Sequence, residues 1–189
     1  MCNAIFDCAY QLFGLKFVKR EDIEAYHPDV DVYEVREEVD GKEKLVAIFL
    51  HDNFARPMKN GGAWMSDYRG QTKNPSSLKL DGFKERVTMK PGDFSVPIIV
   101  NNNNFAKGAD GEPTLLSFDD ARTLFHEFGH GLHGMLSNVN YRRISGTSVL
   151  KVHNGTFQSQ PAFFSSSYIY MYMSYCFLME KIHVVLCYV

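Results

Sequence analysis

The sequence predicts an α+β domain in which a small antiparallel sheet precedes the main helix. Three observations carry that prediction. Strand-like stretches fill the first fifty residues and turn at Asp40-Gly41, a run after Ser117 repeats its apolar residues at helical spacing, and a shorter helical pattern ends at Gly14. At 189 residues the chain is long enough to enclose a sizeable core in one domain.

Taken in order, residues 3–13, "NAIFDCAYQLF", place apolar side chains at helical spacing and stop at glycine, so a short helix is expected. "LKFV", "DVYEVREEV" and "KLVAIFLHD" read as strands, the last two joined through "DGKE", where Asp-Gly is a hairpin signal. From Asn53 to Lys90 the chain is rich in Gly, Pro, Asn and Ser with weak periodicity, and reads as a long loop region. "VPIIVNNNNF", residues 96–105, joins a β-branched run to four asparagines and predicts a strand running out into polar loop. Asn101 to Asn104 then serve as turn formers; the alternative is a strand at a cleft edge, where free backbone groups would pair with an extended peptide.

"SFDD" at 117–120 has the capping-box pattern, with Ser117 as N-cap and Asp120 three residues in. A helix therefore begins near Phe118, and Leu124, Phe125, Phe128, Leu132, Met135 and Leu136 carry it to about Leu136. Composition changes after about Val149: the last forty residues hold Glu180 as their single acidic residue and no arginine, while aromatic, Ser and Met residues take over. Glu180 and Lys181 interrupt this segment, so it lacks the roughly 18 uninterrupted apolar residues of a membrane span.

The formal net charge of −2 leaves no basic excess to recruit nucleic acid or an anionic membrane. Cys2, Cys8, Cys176 and Cys187 lack the CxxC spacing of a zinc knuckle and the density of a secreted scaffold, and read as reduced thiols of a cytoplasmic protein. The first residues carry Asp7 among their apolar positions and no charged leader, unlike a secretory signal.

The chemistry concentrates in "LFHEFGHGLHGML", residues 124–136. Residues four apart in a helix lie one turn above each other, so His126 and His130 are candidate ligands for one metal ion. Glu127, turned about 100° away, is placed to reach a water on that ion. Zinc suits imidazole nitrogen and lowers the pKa of bound water to about 7. Glu127 is then the general base as that water attacks a carbonyl, and passes the proton to the leaving amine. Gly129 and Gly131 each cost about 1 kcal/mol relative to alanine inside a helix, so something is expected to approach this backbone closely. His133 falls near the same stripe but a full turn beyond the convergence point, and is read as structural rather than ligating. A catalytic zinc takes a third protein ligand; downstream of the helix the candidates are His153 and Glu180.

"NNNNFAKGADGEPTLLSFDDARTLFHEFGHGLHGMLSNVNYRRISGTSV", together with "AYHPDVDVYEV" and "FLHDNFARPMKNGGAWM", strongly resembles the thimet oligopeptidase family of zinc metallopeptidases, in particular its bacterial peptidyl-dipeptidase and oligopeptidase A branch. The resemblance implies a zincin-type fragment of a mainly helical, channelled peptidase. It also implies Zn2+ as cofactor, short peptides as substrates, and His126, His130 and Glu127 as zinc ligands and base. The family's third ligand is a glutamate, and ungapped alignment from "SGTSVLK" puts Gly155 at its position. Residues 1–151 are thus read as a partial catalytic domain and 152–189 as a divergent apolar tail, the product of a shifted frame, a misjoined exon or a truncated gene. Arg56, Lys59 and Trp64 lie in a family-like loop without local chemistry to assign them a role. Two functions follow: a zinc-dependent peptidase, or an inactive, association-prone fragment lacking the third zinc ligand.

Overall fold

The computed structural model describes residues 2–73, 94–109 and 112–148. His153, Gly155, Glu180, Cys176, Cys187 and the whole divergent tail lie outside them. Helix α1 spans Cys2–Phe13 and buries Ala4, Ile5 and Ala9. The strands are β1 (Lys16–Lys19), β2 (Val30–Val39), β3 (Lys42–Phe54), β4 (Trp64–Arg69) and β5 (Ile98–Phe105), followed by helix α2 (Phe118–Met135) and a 3-10 turn at Arg142–Ile144. The expected helices and the β2–β3 hairpin are present. Asp40 and Gly41 both have positive φ, 52° and 71°, as the tight hairpin turn requires.

The sheet order is β1-β2-β3-β5-β4. β1, β2 and β3 form an antiparallel meander. β5 then pairs parallel with β3, and β4 pairs antiparallel with β5. The expected antiparallel sheet is therefore corrected to a mixed one. A parallel pair needs a long crossover, and here the chain between Phe54 and Ile98 supplies it while adding β4 on the far side of β5.

That arrangement corrects two further expectations. The Asn53–Lys90 stretch is not uniformly loop: Asn53 and Phe54 extend β3, and Trp64–Arg69 is an outer strand with three exposed residues, too polar to show a periodic signal. The asparagine run is neither a turn nor a sheet edge. Asn101 to Asn104 continue β5, and Asn101 and Asn102 are each matched to a residue of β3 and a residue of β4. Asparagine is a poor strand former on its own; here the neighbours on both sides override that preference.

Both helices cover one face of the sheet, and an aromatic cluster joins them to it. Phe6 of α1 stacks on Phe17 of β1 at 4.3 Å between ring centroids and meets Tyr33 edge-on at 4.9 Å. Phe128 of α2 lies 5.6 Å from Phe49 and 5.7 Å from Phe17, fully buried. Such rings bring both area burial and favourable edge-to-face geometry. Phe128→Ala is expected to lower unfolding free energy by about 3–5 kcal/mol, because the cavity it leaves is walled by other rings that cannot collapse inward; urea titration measures it, and a loss under about 1 kcal/mol would show that the ring is not the keystone of this core.

Candidate metal centre

α2 starts as the sequence requires. The Ser117 hydroxyl accepts from the Asp120 amide at 3.1 Å, and the Asp120 carboxylate accepts from the Ser117 amide at 3.0 Å, so two orphan donors of the first turn are satisfied reciprocally. The helix then runs unbroken through His126, Glu127 and His130. Its apolar side buries Leu124, Phe128, Leu132 and Met135 in the core.

Gly131 and Gly134, two of the three glycines inside α2, have a visible cause. A Cβ on Gly131 would stand 3.2 Å from Asn101 Oδ1, and one on Gly134 would stand 2.7 Å from Ile99 Cδ1. Glycine therefore lets the helix backbone descend onto β5. Gly146, after the 3-10 turn, has φ +59° and would bring a Cβ to 3.1 Å from Gly134 Cα, so the returning chain presses on the same place from the other side.

On the outward side of α2, the Nε2 atoms of His126 and His130 are 3.1 Å apart, with ring planes at 87°. Two imidazole nitrogens sharing a tetrahedral ion at about 2.0–2.1 Å each would stand about 3.3 Å apart. The donor set thus fits zinc in element and spacing. Burial, reinforced by neighbouring His126, pushes the His130 imidazole below its ordinary pKa against the pull of Glu127, which favours the neutral, ligating form. His133 is half-buried and its pKa is also lowered, first by burial and then by His130. Among the described residues, no group of three or more His, Cys, Asp or Glu side chains gathers where an ion would sit.

The sheet face that the helices cover also carries polar side chains. Asn103 donates to Asn53 Oδ1 at 3.0 Å, which turns the Asn53 amide nitrogen toward His51 Nδ1 at 3.3 Å; Cys2 Sγ approaches the same nitrogen at 3.6 Å. Nδ1 is then the acceptor and the His51 proton resides on Nε2. Neither His51 Nε2 nor the Asn101 amide finds a partner among the described residues.

Sequence reasoning missed a second cluster, on the opposite sheet face. Asp52 is buried and receives Arg56 through two nitrogens at 2.6 and 2.7 Å, Lys59 Nζ at 2.8 Å and the Tyr26 hydroxyl at 2.8 Å. Burial alone would raise the Asp52 carboxyl, but these donors outweigh it and hold it at about 2. Strand alternation places Asp52 opposite His51, yet nothing local to "HDNFARPMK" says that its charges converge.

The described residues thus carry a His-Glu-x-x-His sequence on one helix over a mixed sheet, a pattern of side chains compatible with metal binding. The chain belongs to peptidase family M3, whose model matches residues 1–152. It is 44% identical over 146 residues to dipeptidyl carboxypeptidase of Escherichia coli, covering 77% of this chain and 18% of that protein. Similarity to Escherichia coli oligopeptidase A is 35% identity over 77% of this chain and 19% of the relative. Mitochondrial intermediate peptidase of Schizosaccharomyces pombe is 32% identical over 72% of this chain and 19% of its own length. The chain thus spans about a fifth of the length of these relatives.

Burial pushes the His51 pKa down to about 4. The unfolded chain, with His near 6.5, binds the extra proton first as pH falls, so the stabilisation is complete above about pH 6.5 and is lost as pH falls from there toward 4. Across that window the wild type is expected to lose on the order of 3 kcal/mol more than His51→Gln in urea unfolding; parallel pH profiles for the two proteins would contradict it.

Proposed function

We propose that this chain carries part of the catalytic domain of a zinc-dependent peptidase acting on short peptides, with His126 and His130 as metal ligands and Glu127 as general base. The 3.1 Å approach of the two Nε2 atoms, on a helix that also presents Glu127, is the observation that carries the reading. When bound, zinc would supply the Lewis acidity that lowers the pKa of a coordinated water and polarises the scissile carbonyl. Glu127 would be the residue that takes a proton from an attacking water and returns it to the leaving amine. In this reading residues 1–151 are the catalytic-domain portion, residues 152–189 lie apart from it, and the cytoplasm is the site of action. Among the described residues no helix is long and apolar enough to cross a membrane.

β4 is one of the two edge strands of the described sheet, and it lies beside α2. An extended peptide would add to its free edge through backbone hydrogen bonds, the role first expected of β5. This places the peptide backbone alongside the helix that carries Glu127.

A second reading is supported by the absence of a three-ligand group among the described residues and by exposed Tyr10, Leu115, Phe118 and Ile144. In it the chain is an inactive fragment without a third zinc ligand, associating through apolar surface. One set of measurements separates the two. Under the peptidase reading, the chain binds zinc stoichiometrically and cleaves quenched-fluorescence peptides. Glu127→Gln then keeps the zinc and loses about 10²–10⁴ of the rate, whereas His130→Ala loses both. Wild-type protein that holds no zinc, cuts nothing and sediments as an oligomer would establish the second reading instead.

A further inference from the structure

The loop between β3 and β4, residues 55–63, contains Asn60-Gly61, and among the described residues no other asparagine precedes a glycine. Asn60, Gly61 and Gly62 are all exposed. A Cβ built on Gly61 meets nothing within 4 Å beyond its chain neighbours, and the Gly61 amide makes no backbone hydrogen bond among the described residues. That nitrogen is unhindered, and the side-chain amide carbon of Asn60 is the electrophile beside it in the chain.

Two sets of contacts shape its reactivity. Asn104 of β5 donates its side-chain nitrogen to the backbone carbonyls of Asn60 and Gly62, at 2.7 and 2.6 Å. A donor on the Asn60 carbonyl draws density from the peptide bond shared with Gly61 and makes that N–H more acidic, because carbonyl and nitrogen are joined by resonance. Lys59, its side chain 5% exposed, sends Nζ to the carbonyls of Asp52 and Phe54, each at 3.0 Å. The loop is therefore anchored on either side of an Asn-Gly step that stays in solvent. The asparagines of β5 offer the contrast: Asn101, Asn102 and Asn103 are buried, and each is followed by another asparagine of the same strand rather than by glycine.

We infer that Asn60-Gly61 is a site of spontaneous deamidation whose isoaspartyl product loosens the start of β4. The Gly61 nitrogen attacks Asn60 Cγ; that C–N bond forms, the Cγ–Nδ2 bond breaks, and the Gly61 proton leaves with Nδ2 as ammonia. Water then opens the succinimide ring at either carbonyl. Opening at Cγ leaves aspartate on an unaltered backbone. Opening at the α-carbonyl leaves isoaspartate, in which the main chain runs through the side-chain methylene and the carbonyl that accepted from Asn104 becomes a free carboxylate. The lengthened chain changes the spacing of the two groups that one Asn104 amide holds, just ahead of the Trp64–Asn102 pair where β4 begins.

The test incubates the full chain in native buffer, releases residues 60–69 with trypsin after Lys59, and follows the amide-to-acid mass gain while separating isoaspartate from aspartate. Conversion is expected to quicken as pH rises, since the attacking nitrogen must lose its proton, with the β5 asparagines left intact. Gly61 has no positive φ and open surroundings, so Gly61→Ala should keep the wild-type Tm. Its methyl group hinders the attack, and conversion should slow about tenfold, equivalent to about 1.4 kcal/mol on the barrier. Isoaspartyl chains should show faster amide exchange at Trp64 and Met65 than unmodified ones. A 60–69 peptide that converts in urea but not in native buffer overturns the inference, as does wild-type speed in Gly61→Ala. Equal exchange at Trp64 in both forms overturns the loosening of β4.

Discussion

Gly131 and Gly134 let the backbone of α2 settle onto Ile99 and Asn101, and the candidate site depends on that approach. With the helix held by the glycine contacts and by Phe128 against Phe49, its rotation is set, and His126 and His130 fall on the side away from Phe128. A side chain at either glycine would lift the helix or turn it. The two imidazoles owe their orientation to other positions of the same helix, Gly134 one turn from His130 among them, so residues with no chemistry of their own shape the candidate site.

The two faces of the sheet handle buried polarity in opposite ways. On the face that the helices cover, His51, Asn53 and Asn103 form a neutral chain of hydrogen bonds, and burial keeps His51 uncharged. On the other face Asp52, Arg56 and Lys59 are kept as ions, with Lys59 satisfied by backbone carbonyls as well as by the carboxylate. A buried ion pair is a weak source of net stability, since desolvation consumes most of its attraction. Its geometric effect is larger. It ties the ends of β3 and β5, where the parallel pair shifts register, to the loop that leads into the edge strand.

What could be read in the sequence follows from which interactions are local. The capping box at Ser117, the 3.6-residue spacing of α2 and the Asp40-Gly41 turn are each encoded within a few residues, and all three stand in the structure. The placement of His126 one turn from His130 belongs to the same category. β4 escaped because it is held by pairing with β5 rather than by its own polar composition. The asparagines of β5 were misread for a related reason: the amide nitrogens of Asn103 and Asn104 donate to Asn53 and to carbonyls of residues 60 and 62, some forty to fifty positions away. Lys59, with all its partners set by tertiary structure, carried no local signal at all.

Proton placement in the histidine pair adds a constraint that composition never reveals. With Nε2 facing Nε2 at 3.1 Å, a hydrogen bond between the rings needs one to donate and the other to accept, so in that bond a single Nε2 carries a proton. Ligation requires both Nε2 lone pairs, and therefore both protons on Nδ1. The Nδ1 of His130 is buried with no hydrogen-bond partner among the described residues. An N–H moved there would be an unsatisfied donor at a cost of about 1–3 kcal/mol, comparable to a tenfold or greater loss in metal affinity. A group accepting from His130 Nδ1 would remove that cost and favour the tautomer that leaves Nε2 free.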